Sequence, residues 1–140
     1  MEKEFVPFTE SLELKQLGFD EPCFVYWVFN NVEITFSTTD NRSGWSMIGF
    51  TNSQMSKKAG LCTAPTYSQV FRWFRKKHQI VCVIDFYNDG DIWEDTMYTV
   101  TISEFEHFNS HDSFVQFEYK TYEEAELACL RKLISIIKNK

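Results

Sequence analysis

The chain has 140 residues and a net charge of −6, with 44% apolar and 17% aromatic residues. That is enough apolar surface for one buried core without metal or disulfide support, and it argues against disorder. The longest apolar run, CFVYWVF, is seven residues, far short of the about 20 that a membrane helix needs, and the acidic balance argues against bulk attraction to nucleic acid.

In chain order, FVPFTESLELKQLGF predicts a short helix, with Pro7 in its first turn and Gly18 as the left-handed stop. CFVYWVF and VEITFST flank Asn30-Asn31 and predict a β-hairpin, because Asn tolerates positive φ. WSMIGF is a candidate third strand, and the polar residues 51–63 read as a long loop. TAPTYSQVFRWFRKKH predicts a second helix capped by Thr63 or Thr66. IVCVIDFY is β-branched and reads as a central strand. IWEDTMYTVTIS returns as a strand with Tyr98, Val100 and Ile102 on one face, and FVQFEY is the last strand. The final segment opens on a Thr-x-x-Glu box, Thr121 and Glu124. Its apolar stripe is Tyr122, Ala125, Cys129, Leu130, Leu133, Ile136 and Ile137. The predicted fold is α+β: a single domain over 1–140, with an antiparallel sheet of about five to six strands and three helices, in the order α-β-β-(β)-α-β-β-β-α.

Charge is segregated along this order. Residues 1–60 contribute −3, 61–80 contribute +4, 81–118 contribute −9 and 119–140 contribute +2. The cations of 61–80 lie in YSQVFRWFRKKH. At the helical period Tyr67, Val70, Phe71 and Phe74 share one face, so Phe71→Ala is expected to cost about 3–5 kcal/mol. Arg72 and Lys76 point away, Arg75 and Lys77 flank, and Trp73 sits off the stripe as either a packed ring or an exposed contact. A solvated back is the ordinary reading of such a face.

Other motifs carry less. DFYNDGDIWED matches a calcium loop at Asp85, Asp89 and Gly90, but Tyr87 and Thr96 break it. His107, His111 and Asp112 lack the remaining ligands of a zinc site. No GxSxG, P-loop or GxGxxG is present. A carboxylate pair at Asp85 and Glu94 reads as an acidic sheet edge, and a Cys–His pair drawn from Cys23, Cys62 and His78 has no local support. None of the four cysteines forms a CxxC pair, and Cys82 and Cys129 read as small buried hydrophobes of a reduced, intracellular chain. No cofactor, metal or catalytic residue is expected.

Three segments, ELKQLGFDEPCF, APTYSQVFRWFRKKHQI and TYEEAELACLRKLISIIKNK, together resemble a family of short uncharacterised proteins of Bacteroides-type bacteria and their phages or prophages. The resemblance implies an accessory protein of a bacterial or phage-infected cytoplasm and brings no site residues with it. The expected function is a non-enzymatic protein-binding module acting on an unknown protein or on itself. Its candidate contacts are Arg72, Trp73, Arg75, Lys76 and Lys77 on the basic segment, and Asp89, Asp91, Glu94 and Asp95 on the acidic one. A nucleic-acid-associated protein using helix 67–78 and an enzyme with a noncanonical site are the alternatives.

Overall fold

A computed structural model describes residues 4–28, 49–55, 60–88, 96–104 and 114–140. The chain divides into two compact units, Met1–Val70 and Phe71–Lys140. The architecture is α+β, with three α-helices and two antiparallel sheets among the described residues. The sheets have two and three strands, so a continuous sheet of five to six strands is not found among them.

In the first unit α1, Phe8–Gln16, begins behind Pro7, which occupies the capping position and accepts from the Ser11 amide at 2.9 Å. It ends where expected. Gly18 takes φ 85°, its amide donates to Lys15, and the Phe19 amide donates to Leu14. This paired closure turns the buried Phe19 ring inward. β1, Tyr26–Val28, pairs antiparallel with β2, Leu61–Thr63, in the register Trp27↔Cys62. β2 replaces the end of the predicted loop 51–63; three residues are too few to show an alternation. The predicted hairpin turn at Asn30-Asn31, its second strand and most of WSMIGF lie outside the described residues, while Phe50 bridges Cys23.

Val25, Trp27, Cys62 and Ala64 form the core of this unit, with Phe5, Phe8 and Leu12 packed on it. Trp27 Nε1 donates to Val6 O at 3.1 Å and to Ser11 Oγ at 3.2 Å, so the ring is buried with its polar atom satisfied. Asn52 is also buried: its Nδ2 donates to Phe19 O at 2.8 Å and its Oδ1 accepts from the Thr63 amide at 3.0 Å. Asn52→Ala strands both backbone groups and should cost about 2–4 kcal/mol, read as a lowered midpoint in urea unfolding. A loss no larger than that of Ser53→Ala, on the exposed side of the same turn, would refute the clamp.

α2, Tyr67–Trp73, spans the division between the units. Thr66 and Gln69 cap it reciprocally: the Gln69 amide donates to Thr66 Oγ1 at 3.3 Å, and Gln69 Oε1 accepts from the Thr66 amide at 3.0 Å. The helix then widens into a π-helical turn, Phe74–His78, closed by the Gln79 amide donating to Phe74 O.

The rest of the second unit is a meander, β3 (Ile80–Asn88), β4 (Thr96–Glu104) and β5 (Phe114–Tyr119), followed by α3 (Tyr122–Lys138). β4 is the middle strand, and β3, expected at the centre, is at one side of the three. β3 and β4 pair without slippage from Ile80↔Glu104 to Asn88↔Thr96, whereas the β4–β5 register shifts between Thr99 and Thr101. Val100 and Ile102 are buried, as the alternation predicts.

α3 starts on the predicted box: the Glu124 amide donates to Thr121 Oγ1 at 3.2 Å, and Glu124 Oε2 accepts from the Thr121 amide at 3.3 Å. Its buried residues are Ala125, Cys129, Leu130, Leu133 and Ile134. Ile134 was absent from the predicted stripe, and Tyr122, which was in it, is 45% exposed. Cys82 and Cys129, read from sequence as separate buried hydrophobes, are joined as a disulfide between β3 and α3, with their Cα atoms 6.8 Å apart. Disulfides persist in oxidising compartments, so this pairing runs against the reduced chain expected from cysteine spacing. Titration of the unfolded, unreduced protein should therefore give two thiols, Cys23 and Cys62, and four after reduction. Four before reduction would refute the bond.

Candidate binding surface

The second unit carries opposite charges at its two ends, and the strand and helix directions create this arrangement. β3 leaves the basic π-helical turn at Ile80 and runs away from it. Its residues 80 to 87 span about 23 Å at about 3.3 Å per residue. α3 runs the other way. Its first residue, Tyr122, stacks edge-on against Tyr98 at 5.8 Å, and Tyr98 is paired with Phe86 near the far end of β3. Its middle, at Cys129, meets Cys82. Lys140, two residues beyond its end, acts electrostatically on His78. The C-terminus of α3 therefore shares an end with the π-helical turn, and its N-terminus shares the other end with Phe86 and Tyr87.

At the basic end Arg72, Arg75, Lys76 and Lys77 are all exposed. Trp73 is not a surface contact: it is 4% exposed, lies edge-on to Phe74 and to His78, and has Lys77 Nζ over its face at 5.0 Å from the centroid. A cation over an indole face is attracted by the ring quadrupole, so Trp73 shapes the basic surface from beneath. His78 Nε2 is buried without a hydrogen-bond partner. Burial first, then the charges of Lys77 and Lys140, hold its imidazole below the ordinary value. Its contribution to stability is therefore present above pH 6.5 and lost as pH falls below it.

At the other end the sheet outruns its helix. Phe86 is 67% exposed and Tyr87 39%. Asp85 is exposed at this end, as are Glu123 and Glu124 in the first turn of α3, and Lys120 is the exposed cation among them. Tyr87 Oη donates to Glu118 Oε1, a bond that reaches from β3 over β4 to β5. The face bearing Val83, Asp85 and Tyr87 is opposite the one that carries Cys82 and α3. The exposure of the Phe86 and Tyr122 rings was not foreseen in the sequence, which put Phe86 in a central strand and Tyr122 in the buried stripe of the last helix. The signal was available: an apolar run that continues past the residues its helix can cover. Asp89, Asp91, Glu94 and Asp95, together with His107, His111 and Asp112, lie outside the described residues, so neither the Asp85–Glu94 pairing nor the candidate zinc ligands fall on the described structure. Asp85 itself pairs with Thr99.

The free thiols are poor nucleophiles. Burial pushes Cys23 up to about 11, with the neighbouring Thr63 hydroxyl opposing and the Glu21 charge adding. Burial likewise pushes Cys62 up to about 12 against the opposing charge of Lys15. Both stay protonated at neutral pH, the reverse of an activated cysteine. The unfolded chain releases these protons near pH 9.0 while the folded chain keeps them to about 11 and about 12. Their contribution to stability is thus intact below pH 9.0 and lost as pH rises toward the folded values. Denaturation midpoints followed across this window should fall more steeply for the wild type than for Cys62→Ala. Equal slopes would refute the shift.

Among the described residues no three His, Cys, Asp or Glu side chains gather as a metal site, and no described helix is long and apolar enough to cross a membrane. No family model, curated protein or solved structure matches the chain.

Proposed function

We propose that the chain is a non-enzymatic protein-binding module whose contact surface is the second unit. The observation that carries this reading is the exposed end of the sheet, where Phe86 on the α3 face and Tyr87 on the reverse face meet solvent beside carboxylates. Large exposed rings within a polar rim are characteristic of association surfaces. Aromatic faces beside carboxylates suit a cationic partner, because a guanidinium or ammonium gains from both. An accessory role in a phage or mobile element rests on the resemblance of the three segments quoted above, and a cytoplasmic setting rests on the same resemblance, with the Cys82–Cys129 disulfide standing against that setting.

The test is the anisotropy of labelled probes at low and physiological salt. A lysine- and arginine-rich peptide should bind, and Phe86→Ala should weaken it. Failure of that peptide and of an acidic one at low salt would remove the reading. Binding of duplex DNA, falling steeply with salt, would favour the nucleic-acid reading through Arg72, Arg75 and Lys76 instead. Reversing Arg72 and Lys76 to Glu should change stability by no more than about 0.5 kcal/mol each, because both are exposed. It should abolish any binding through the basic end. A severe loss in thermal melts would show that this face is not solvated.

A further inference from the structure

We infer that the partner of the acidic, aromatic end is the basic end of a second copy of this chain, in a two-fold pair. The inference rests on the binding-module reading above and names its occupant. The matching surface is present on the same unit. Arg75 and Lys76 stand at one end of β3, and Asp85, Phe86 and Tyr87 stand at the other.

A cationic end cannot fold back on the acidic end of its own unit. A nine-residue strand paired without slippage to β4, and a 17-residue helix running antiparallel to it, hold the two ends apart. Two copies laid side by side in opposite directions bring each basic end to the partner's acidic end. The contact is then made twice by one symmetry operation and closes on itself, which a head-to-tail contact made once does not. Phe86 and Tyr122, on the α3 side of the sheet, give each contact an apolar centre against which a guanidinium can stack. Glu123 and Glu124 give it a rim of opposite charge on that side, and Asp85 adds its charge from the reverse face of the same strand end.

The opposing effect is the repulsion of two chains of −6 each. It acts over the whole pair, so salt at physiological strength, with a Debye length of about 8 Å, screens it more than it screens charges in contact. Association should therefore be strongest near physiological salt and decline toward high salt.

The experiment is sedimentation equilibrium of the full chain over a range of salt. Wild type should populate a dimer. R75E/K76E and D85K/E123K, each confirmed as folded by circular dichroism, should each weaken it at least about tenfold. An equimolar mixture of the two should recover association, because one variant then carries two acidic ends and the other two basic ends. Phe86→Ala, at an exposed ring whose loss leaves the core intact, should weaken the dimer on its own and serves if a charge variant misfolds. A wild type that is monomeric at every salt concentration overturns the inference. So does a dimer indifferent to all three variants, or a mixture that stays dissociated. A monomeric wild type that still binds the basic peptide overturns the self-pairing and leaves the binding-module reading standing. A monomer that binds no peptide overturns both.

Discussion

Phe74→Ala should be among the most damaging single substitutions in the second unit, costing about 3–5 kcal/mol. Phe74 is 0% exposed and sits in a ring cluster, 4.9 Å from Trp73 and 5.8 Å from His78. Removing it opens a cavity that the π-helical turn cannot collapse into, because that turn is fixed at its end by the Gln79 amide. The loss also removes ring packing from His78, while any water admitted to its unpartnered Nε2 offsets a small part of the cost. The sequence period put Phe71 on the same core face as Tyr67, Val70 and Phe74; those three are buried, and Phe71 is only half-buried. Thermal melts of the two alanine variants decide between the residues. A loss for Phe71→Ala as large as that for Phe74→Ala would mean that the helix is turned as the sequence suggested.

In the first unit the corresponding substitution is Trp27→Ala, also expected to cost about 3–5 kcal/mol. Trp27 is 4% exposed at the centre of the α1–β1–β2 core, and its indole N–H ties the strand to Val6 and Ser11. Trp27→Phe separates the two contributions. It keeps most of the apolar volume and deletes the donor, while Val6 O still accepts from Ser11 Oγ at 3.1 Å. Its cost should therefore be about 1–2 kcal/mol. Urea unfolding that ranked Phe as damaging as Ala would show that the hydrogen bonds, not the packing, hold this core.

The elements with a strong local cause were legible. The Thr121–Glu124 box, the Gly18 stop and the Tyr98–Ile102 alternation each rest on chemistry within a few residues. What escaped depends on partners distant in sequence. Thr66 and Gln69 form a second capping box, overlooked because glutamine takes the acid's place. Ile134 is buried because the covered arc of α3 extends from Ala125 through about half the helix circumference, wider than a stripe drawn from periodicity. Asn52 has no sequence mark; only the meeting of Phe19 O and the Thr63 amide makes it a clamp. Cys82 and Cys129 lie 47 residues apart, and spacing cannot pair them. Of the candidate site, the basic residues were legible as a solvated face. The aromatic end was hidden because Val, Ile and Phe in β3 were all read as interior.

The chain leaves the π-helical turn through Gln79 at φ 58° and ψ 32°, the one described non-glycine residue with positive φ. In a saturation library selected for folded protein, position 79 should show an inverted profile. Glycine and asparagine, which enter this backbone region readily, should be enriched, and valine, isoleucine and threonine depleted despite the strand that follows at once. The residues best suited to extend β3 backward would be those least tolerated there, so this position sets where helix ends and sheet begins.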